Sequence, residues 1–130
     1  MLKSWMIGCS LSVLVVLPAL AQEGDPAEGE KVFKRCQACH VINAPTNRVG
    51  PSLQGVYGRK AGAVEGFKYS DAMKKAGEEG LVWNDENLHK YLENPKGEVK
   101  GNKMAFAGLK KPEERDNVIA YIKQAGGSGG

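Results

Sequence analysis

Cys36-Gln37-Ala38-Cys39-His40 is the one C-x-x-C-H in the chain. Two thiols three positions apart, followed at once by an imidazole, suit covalent attachment of a c-type haem. Each thiol can add to one porphyrin vinyl group, which brings His40 beneath the ring plane as an axial iron ligand. Other chemistry fits less well. A thioredoxin-like C-x-x-C calls for a surrounding βαβ pattern, and the sequence supplies no parallel strands. A structural zinc site needs a second pair of ligands. Only Cys9 and His89 remain for that role, and Cys9 lies in an apolar leader.

The second axial position decides what such a haem does. Electron carriers close it, whereas oxygen- or peroxide-reactive haems leave it open. Outside the leader the strong candidates are Met73, Met104 and His89. Met73 belongs to a short helix, where filling the core is the commoner duty of methionine. His89 falls off the Leu88/Tyr91/Leu92 face of its helix, as a solvated histidine would. Met104 sits in an irregular, glycine-bounded stretch, 101–108, that can wrap a ring edge and present a thioether. Local chemistry favours Met104 and leaves Met73 open.

These groups need elements to carry them. Asp25-Pro26-Ala27-Glu28 reads as a helix start, with Asp25 as N-cap and Pro26 at the first helical position. Val32, Phe33 and Cys36 then recur at helical spacing, so this helix is expected to deliver the first thiol near its end. A short helix is predicted from Ser70 to Ala76, capped by Ser70 and ended by Gly77. A third runs from an Asn84 or Asp85 cap to Asn94, where Pro95 stops it. The last opens at Lys110-Lys111-Pro112-Glu113-Glu114 with acids in its first turn. Its apolar stripe is Val118, Ile119, Ile122 and Ala125, and Gly126-Gly127 ends it. Gly29 inside the first helix is unfavourable by about 1 kcal/mol against alanine, which close packing against Tyr121 would explain. No period-2 strand of useful length appears, so the fold class is all-α: three main helices, short helices and loops around one haem.

The N-terminus reads as an export signal. Lys3 supplies a positive start, Trp5 to Leu17 an apolar run, and Pro18-Ala19-Leu20-Ala21 a small-residue cleavage site after Ala21. The run is shorter than the about 20 residues that span a bilayer. A membrane-anchored protein with an uncleaved leader is the alternative. The expected organisation is a signal peptide over 1–21, one domain over 22–125 and a flexible Gly/Ser tail over 126–130, with the mature protein in the periplasm. A domain this small buries limited apolar surface by itself, so a haem-free chain is expected to be largely unfolded.

Charge excludes one class of partner and suggests another. Removing Lys3 with the leader leaves 17 basic residues against 15 acidic ones, a balance of +2. That is too mild for nucleic acid, and no basic run alternates with aromatics. The distribution is uneven. Lys96, Lys100, Lys103, Lys110 and Lys111 face the single acid Glu98 between positions 96 and 111. Glu23, Asp25, Glu28 and Glu30 stand without a basic residue between positions 22 and 30. Such a dipole would steer the lysine-rich face toward an acidic partner.

From Gly29 to Ala125 the chain resembles the class I c-type cytochromes, particularly bacterial cytochrome c2 and mitochondrial cytochrome c. The resemblance rests on Cys-Gln-Ala-Cys-His (36–40), Gly50-Pro51-Ser52-Leu53, Gly58-Arg59-Lys60 and Gly66-Phe67-Lys68-Tyr69-Ser70-Asp71-Ala72. It continues through Tyr91-Leu92-Glu93-Asn94-Pro95, Lys103-Met104-Ala105-Phe106-Ala107-Gly108 and Ile119-Ala120-Tyr121. It implies the cytochrome c fold, Cys36 and Cys39 as thioether positions for one haem c, His40 as proximal ligand and Met104 as distal ligand. It further implies that the Pro51 carbonyl accepts the other ring N–H of His40. Arg59, Tyr69 and Trp83 match residues near a buried propionate, Tyr91 a hydroxyl near the methionine sulfur, and Asn102 a polar residue at the propionate edge. Met73 departs from the pattern, standing where mitochondrial relatives commonly carry an asparagine. The loop from His40 to Gly50 is one residue shorter than in many of them.

The function this implies is an exported monomeric electron carrier, not an enzyme. It would take single electrons from ubiquinol–cytochrome c reductase and pass them to a cytochrome oxidase or photosynthetic reaction centre, in respiration or photosynthesis. A small haem peroxidase is the enzyme alternative, and it would need an open iron with a distal acid–base group.

Overall fold

Asp25 caps the first helix by accepting from the Ala27 N–H, and Pro26 occupies its first turn. The computed structural model describes residues 12–16 and 24–127. Among these residues there are five helices in chain order: α1 (Pro26–Phe33), α2 (Asp71–Glu78), α3 (Asp85–Glu93), α4 (Pro95–Glu98) and α5 (Pro112–Gly126). Among the described residues there is no strand, only an isolated antiparallel bridge between Lys60 and Val82. The all-α expectation holds.

α1 and α5 pack against each other and form the frame. Gly29 is buried at their contact, and a β-carbon there would overlap the Asn117 carbonyl and crowd the Tyr121 side chain. The cost of that glycine is therefore repaid by close backbone approach. The Phe33 and Tyr121 rings meet beside it in a tilted contact with centroids 5.1 Å apart, and the Asp25 N–H donates to Asn117 Oδ1 at 2.8 Å. The core runs from this contact through Phe33, Ile42, Val56, Trp83, Leu88, Leu109, Val118, Ile119 and Ile122.

The boundaries differ from the sequence expectation at four places. α1 ends at Phe33, so Cys36 lies in the turns beyond it rather than in the helix. Gly77 does not end α2 but sits buried inside it, because a β-carbon there would overlap the Ala61 carbonyl; the left-handed residue after the helix is Gly80, φ +101°. Pro95 does stop α3, yet it also opens the one-turn α4, with Asn94 serving both helices. Gly126 belongs to α5, with its carbonyl accepting from Gly55 N–H at 2.7 Å, and a β-carbon there would crowd Ile42 and the Leu53 carbonyl. Gly127 is the C-cap, and the rest of the expected tail, 128–130, lies outside the described residues.

Of the expected leader, only residues 12–16 are described, and they are exposed and non-helical. The cleavage position after Ala21 and the acid Glu23 lie outside the described residues. Among the described residues no helix is long and apolar enough to cross a membrane.

Candidate haem site

Cys36, Cys39 and His40 are brought together by the turns that follow α1. The N–H groups of Cys36 and Gln37 donate to the Phe33 carbonyl, and those of Cys39 and His40 donate to the Cys36 carbonyl. The last bond spans four residues, so first thiol and imidazole share one face of a helical turn, with Cys39 beside them. All three line a cavity of about 350 Å³. Both thiols are free. Burial pushes the Cys36 thiol up to about 11, with the Arg35 charge pulling slightly the other way, so it is held protonated.

His40 is fixed from behind. Its Nδ1 lies 2.8 Å from the Pro51 carbonyl oxygen, and since a carbonyl only accepts, Nδ1 carries the proton and Nε2 keeps its lone pair. Burial lowers the imidazole's basicity, the Pro51 bond opposes this, and the Arg59 charge lowers it further. A neutral ring results, as metal ligation requires. Gly50 lies flat against that ring. Ser52 holds the loop in place, donating from Oγ to the Ala44 carbonyl and from its N–H to Asn47 Oδ1 at 2.9 Å.

Much of the remaining wall is apolar, with Phe33, Leu53, Val56, Trp83, Leu88 and Val118 among its residues. Trp83 packs on Tyr91 in a tilted contact at 4.8 Å between centroids, and burial alone pushes the Tyr91 phenol up to about 12, so it stays a neutral donor. Tyr69 accepts the Val64 N–H at 3.1 Å and keeps its own proton to give; burial raises its phenol against the pull of the Val64 bond and Arg59. Arg59 spends its two terminal nitrogens on the Gln54 and Ser52 carbonyls, at 3.0 and 3.1 Å. Its Nε is buried with no partner among the described residues, and burial pulls its pKa down.

These features fit a covalent haem. Two free thiols, a neutral imidazole with an open lone pair and an orphaned guanidinium N–H answer to two vinyls, an iron and a buried carboxylate. Among the described residues no cluster of three or more His, Cys, Asp or Glu gathers around a bare metal ion.

Met104 and Met73 both line this cavity. His89 does not: its Nε2 is 3.0 Å from Asp116 Oδ1, linking α3 to α5 on the outside. Asn102 also lines the cavity, and its side-chain bonds tie it to the backbone on either side. Both amide protons are spent, on the Pro95 and Val99 carbonyls at 2.8 and 2.9 Å, and its Oδ1 accepts the Met104 N–H at 2.9 Å. It is a strut for the Met104 loop.

The model for the family described as "Cytochrome c" matches residues 26–126. The chain belongs to the cytochrome c family. It is 56% identical over 101 residues to cytochrome c2 of Agrobacterium tumefaciens (strain II Chrys), covering 77% of this chain and 91% of that one. It is 42% identical over 129 residues to cytochrome c2 of Blastochloris viridis, covering 98% of both. Among solved structures, cytochrome cH from Methylobacterium extorquens superposes with a TM-score of 0.72 at 46% identity, covering 78% of this chain and 99% of that one. Membership makes this an electron-transfer protein that binds one covalent haem c, and not an enzyme. When bound, the haem supplies one-electron chemistry, the iron passing between Fe(II) and Fe(III). The chain's own part is to hold and orient it, exclude water and set the surrounding charge.

Gly50, Asn47 and Ser52 support His40 without being expected to do so from the sequence. A glycine before Pro51 was a visible signal, but the overlap with the ring that requires it depends on the fold. Lys96 and Lys110, expected on the docking face, are exposed. Each also holds a backbone carbonyl: Lys96 Nζ donates to the Asn102 carbonyl at 2.8 Å and Lys110 Nζ to the Glu93 carbonyl at 2.6 Å. The cations that line the cavity are Arg35, Arg59, Lys68 and Lys103.

Proposed function

We propose that this protein is an exported single-electron shuttle whose haem is held by Cys36 and Cys39 and ligated by His40 and Met104. The observation that carries the reading is the shared cavity: two free thiols, a histidine with Nδ1 tied to Pro51, and a thioether on a loop anchored through Asn102. A thioether and an imidazole with no exchange of ligands leave little to reorganise on electron transfer, and this pair raises the potential relative to two imidazoles. The apolar wall disfavours the added positive charge of the ferric form in the same direction. Arg59, Tyr69 and Trp83 line the side suited to a buried propionate, where the unpaired Arg59 Nε offers a donor that offsets desolvation. Tyr91 supplies a neutral hydroxyl to the distal side.

The docking face is read from the lysines around the Met104 loop. Lys100, Lys103 and Lys111 are exposed, and Lys68 joins them at the cavity edge. They suit an acidic surface approached transiently. The resemblance supports ubiquinol–cytochrome c reductase as donor and a cytochrome oxidase or photosynthetic reaction centre as acceptor, with the carrier a monomer. Periplasmic location follows from the leader in residues 1–21, and the Blastochloris viridis relative, matched over 98% of its length, has a counterpart to most of that segment. A peroxidase reading has no distal histidine to draw on, because His89 pairs with Asp116 outside the cavity.

Purification from a periplasmic extract followed by redox titration and assay with a quinol-fed reductase tests the reading. A soluble protein beginning at Gln22, reduced by that enzyme and reoxidised by an oxidase or reaction centre, is expected. Recovery only in membranes with residues 5–20 retained would establish the anchored form instead.

A further inference from the structure

Arg115 is 8% exposed, yet among the described residues no carboxylate lies within ion-pair distance of it. One side-chain nitrogen donates to the Leu109 carbonyl at 2.7 Å, and Nε is buried with no partner. Burying a guanidinium this way is expensive, and an apolar side chain of similar volume would commonly pack as well or better. Packing alone therefore does not account for it. What an apolar replacement could not do is grip Leu109.

Leu109 closes the segment that carries Met104. From Lys103 to Ala107 no backbone group bonds to another backbone group; the segment is secured at its two ends. At the near end Asn102 binds the Met104 N–H and is itself bonded to Pro95 and Val99. At the far end the Leu109 N–H donates to Leu92 at 2.6 Å, and its carbonyl is taken by Arg115 from the first turns of α5. Gly108, φ +110°, passes against the Glu93 carbonyl with no room for a β-carbon. We propose that Arg115 is a positioning residue for the Met104 thioether: it transmits the rigidity of α5 to the far end of the loop and keeps the sulfur seated. The inference rests on the assignment of Met104 as distal ligand.

The test is azide binding to the ferric holoprotein, which reports how often the thioether leaves the iron, beside a urea melt, which reports global stability. Arg115→Met should bind azide about tenfold more readily, the scale set by losing one charged hydrogen bond from a local opening. Its urea midpoint should fall less than that of Ile119→Val, a buried change away from the cavity. Arg115→Lys, which keeps a cation and a donor, should fall between parent and Arg115→Met in azide binding, and it carries the comparison if the methionine variant fails to fold. Azide binding equal to the parent's in both variants, or a gain no larger than that in Ile119→Val, overturns the proposal. Met104→Ala separates the two claims. If it keeps the thioether–ferric charge-transfer band, the ligand assignment falls and takes this inference with it. If it loses the band while Arg115→Met and Arg115→Lys behave as parent, only the role of Arg115 falls.

Discussion

The Nδ1–H of His40 donates to the Pro51 carbonyl across 2.8 Å, and the residue immediately before Pro51 lies flat against the same imidazole. The ring is thus gripped at one edge and pressed on one face by adjacent residues of a single loop. Such a partner fixes the tautomer and strengthens donation from the other nitrogen.

Gly50→Ala should break this arrangement, because its β-carbon would overlap ring atoms of His40. Either the imidazole tilts or the Pro51 bond opens. Stability should fall by about 2 kcal/mol, within the range for a strained buried substitution. A weaker Nδ1–H bond makes Nε2 a poorer donor, which disfavours Fe(III), so the reduction potential should rise. A urea melt and a redox titration check both, and a variant with the parent's potential and midpoint would contradict the grip on His40.

The lysines around Met104 should divide into two groups. Charge reversal at Lys100 or Lys103 should slow electron transfer to an acidic partner at low salt, with the difference shrinking as ionic strength rises. Lys96→Ala and Lys110→Ala each remove a bond to a backbone carbonyl and should lower stability by about 1 kcal/mol, with a smaller effect on association. Stopped-flow rates across a salt series, set beside urea melts of all four variants, test the division. Equal salt slopes for the four would show that the tethered pair serves docking as much as the free pair.

The thiol pair, the histidine and the helix caps could be read from the chain because each depends on neighbours within four residues. Asp25, Ser70 and Asn84 cap where their side-chain chemistry says they should. The misses share another cause. Gly77 resembles a helix terminator in isolation, and only the Ala61 carbonyl on a distant segment explains why it is retained inside α2. Nothing local to Asn102, Lys96 or Arg115 shows that each holds a backbone carbonyl around one loop. Long-range polar bonds leave no periodic trace.

Asp85 should shape the acid limb of stability. Burial pushes its carboxyl up, but bonds from Lys123 Nζ and the Tyr57 hydroxyl, both at 2.8 Å, and the Lys123 charge outweigh it and hold the pKa below the ordinary value. A carboxylate with a depressed folded pKa contributes stability above its unfolded value of about 3.9, and loses it as pH falls through the folded value. The site is largely exposed, so screening limits the contribution to under about 1 kcal/mol. Asp85→Asn should therefore be slightly less stable than the parent at pH 7, with the gap closing below about pH 4. Urea midpoints measured across that range, with a gap that persists unchanged into acid, would assign the loss to hydrogen-bond geometry rather than charge.

Two thioethers reach one cavity, and the segments that hold them differ. Met73 rides on α2 and packs with the core, while Met104 hangs on a segment anchored through Asn102 and Leu109. Met104→Ala should abolish the thioether–ferric charge-transfer band, lower the reduction potential and open the iron to azide or peroxide. The potential falls because a soft thioether preferentially stabilises Fe(II), so its loss favours Fe(III). Weak peroxidase activity in the parent should grow in the variant for the same reason. Met73→Leu conserves volume and should cost less than about 1.5 kcal/mol with the band intact. The reverse pattern, a band lost with Met73→Leu and kept with Met104→Ala, would assign the sulfur to α2. A low-spin six-coordinate spectrum in both variants would require a ligand from elsewhere, and His89 could supply it only by leaving Asp116.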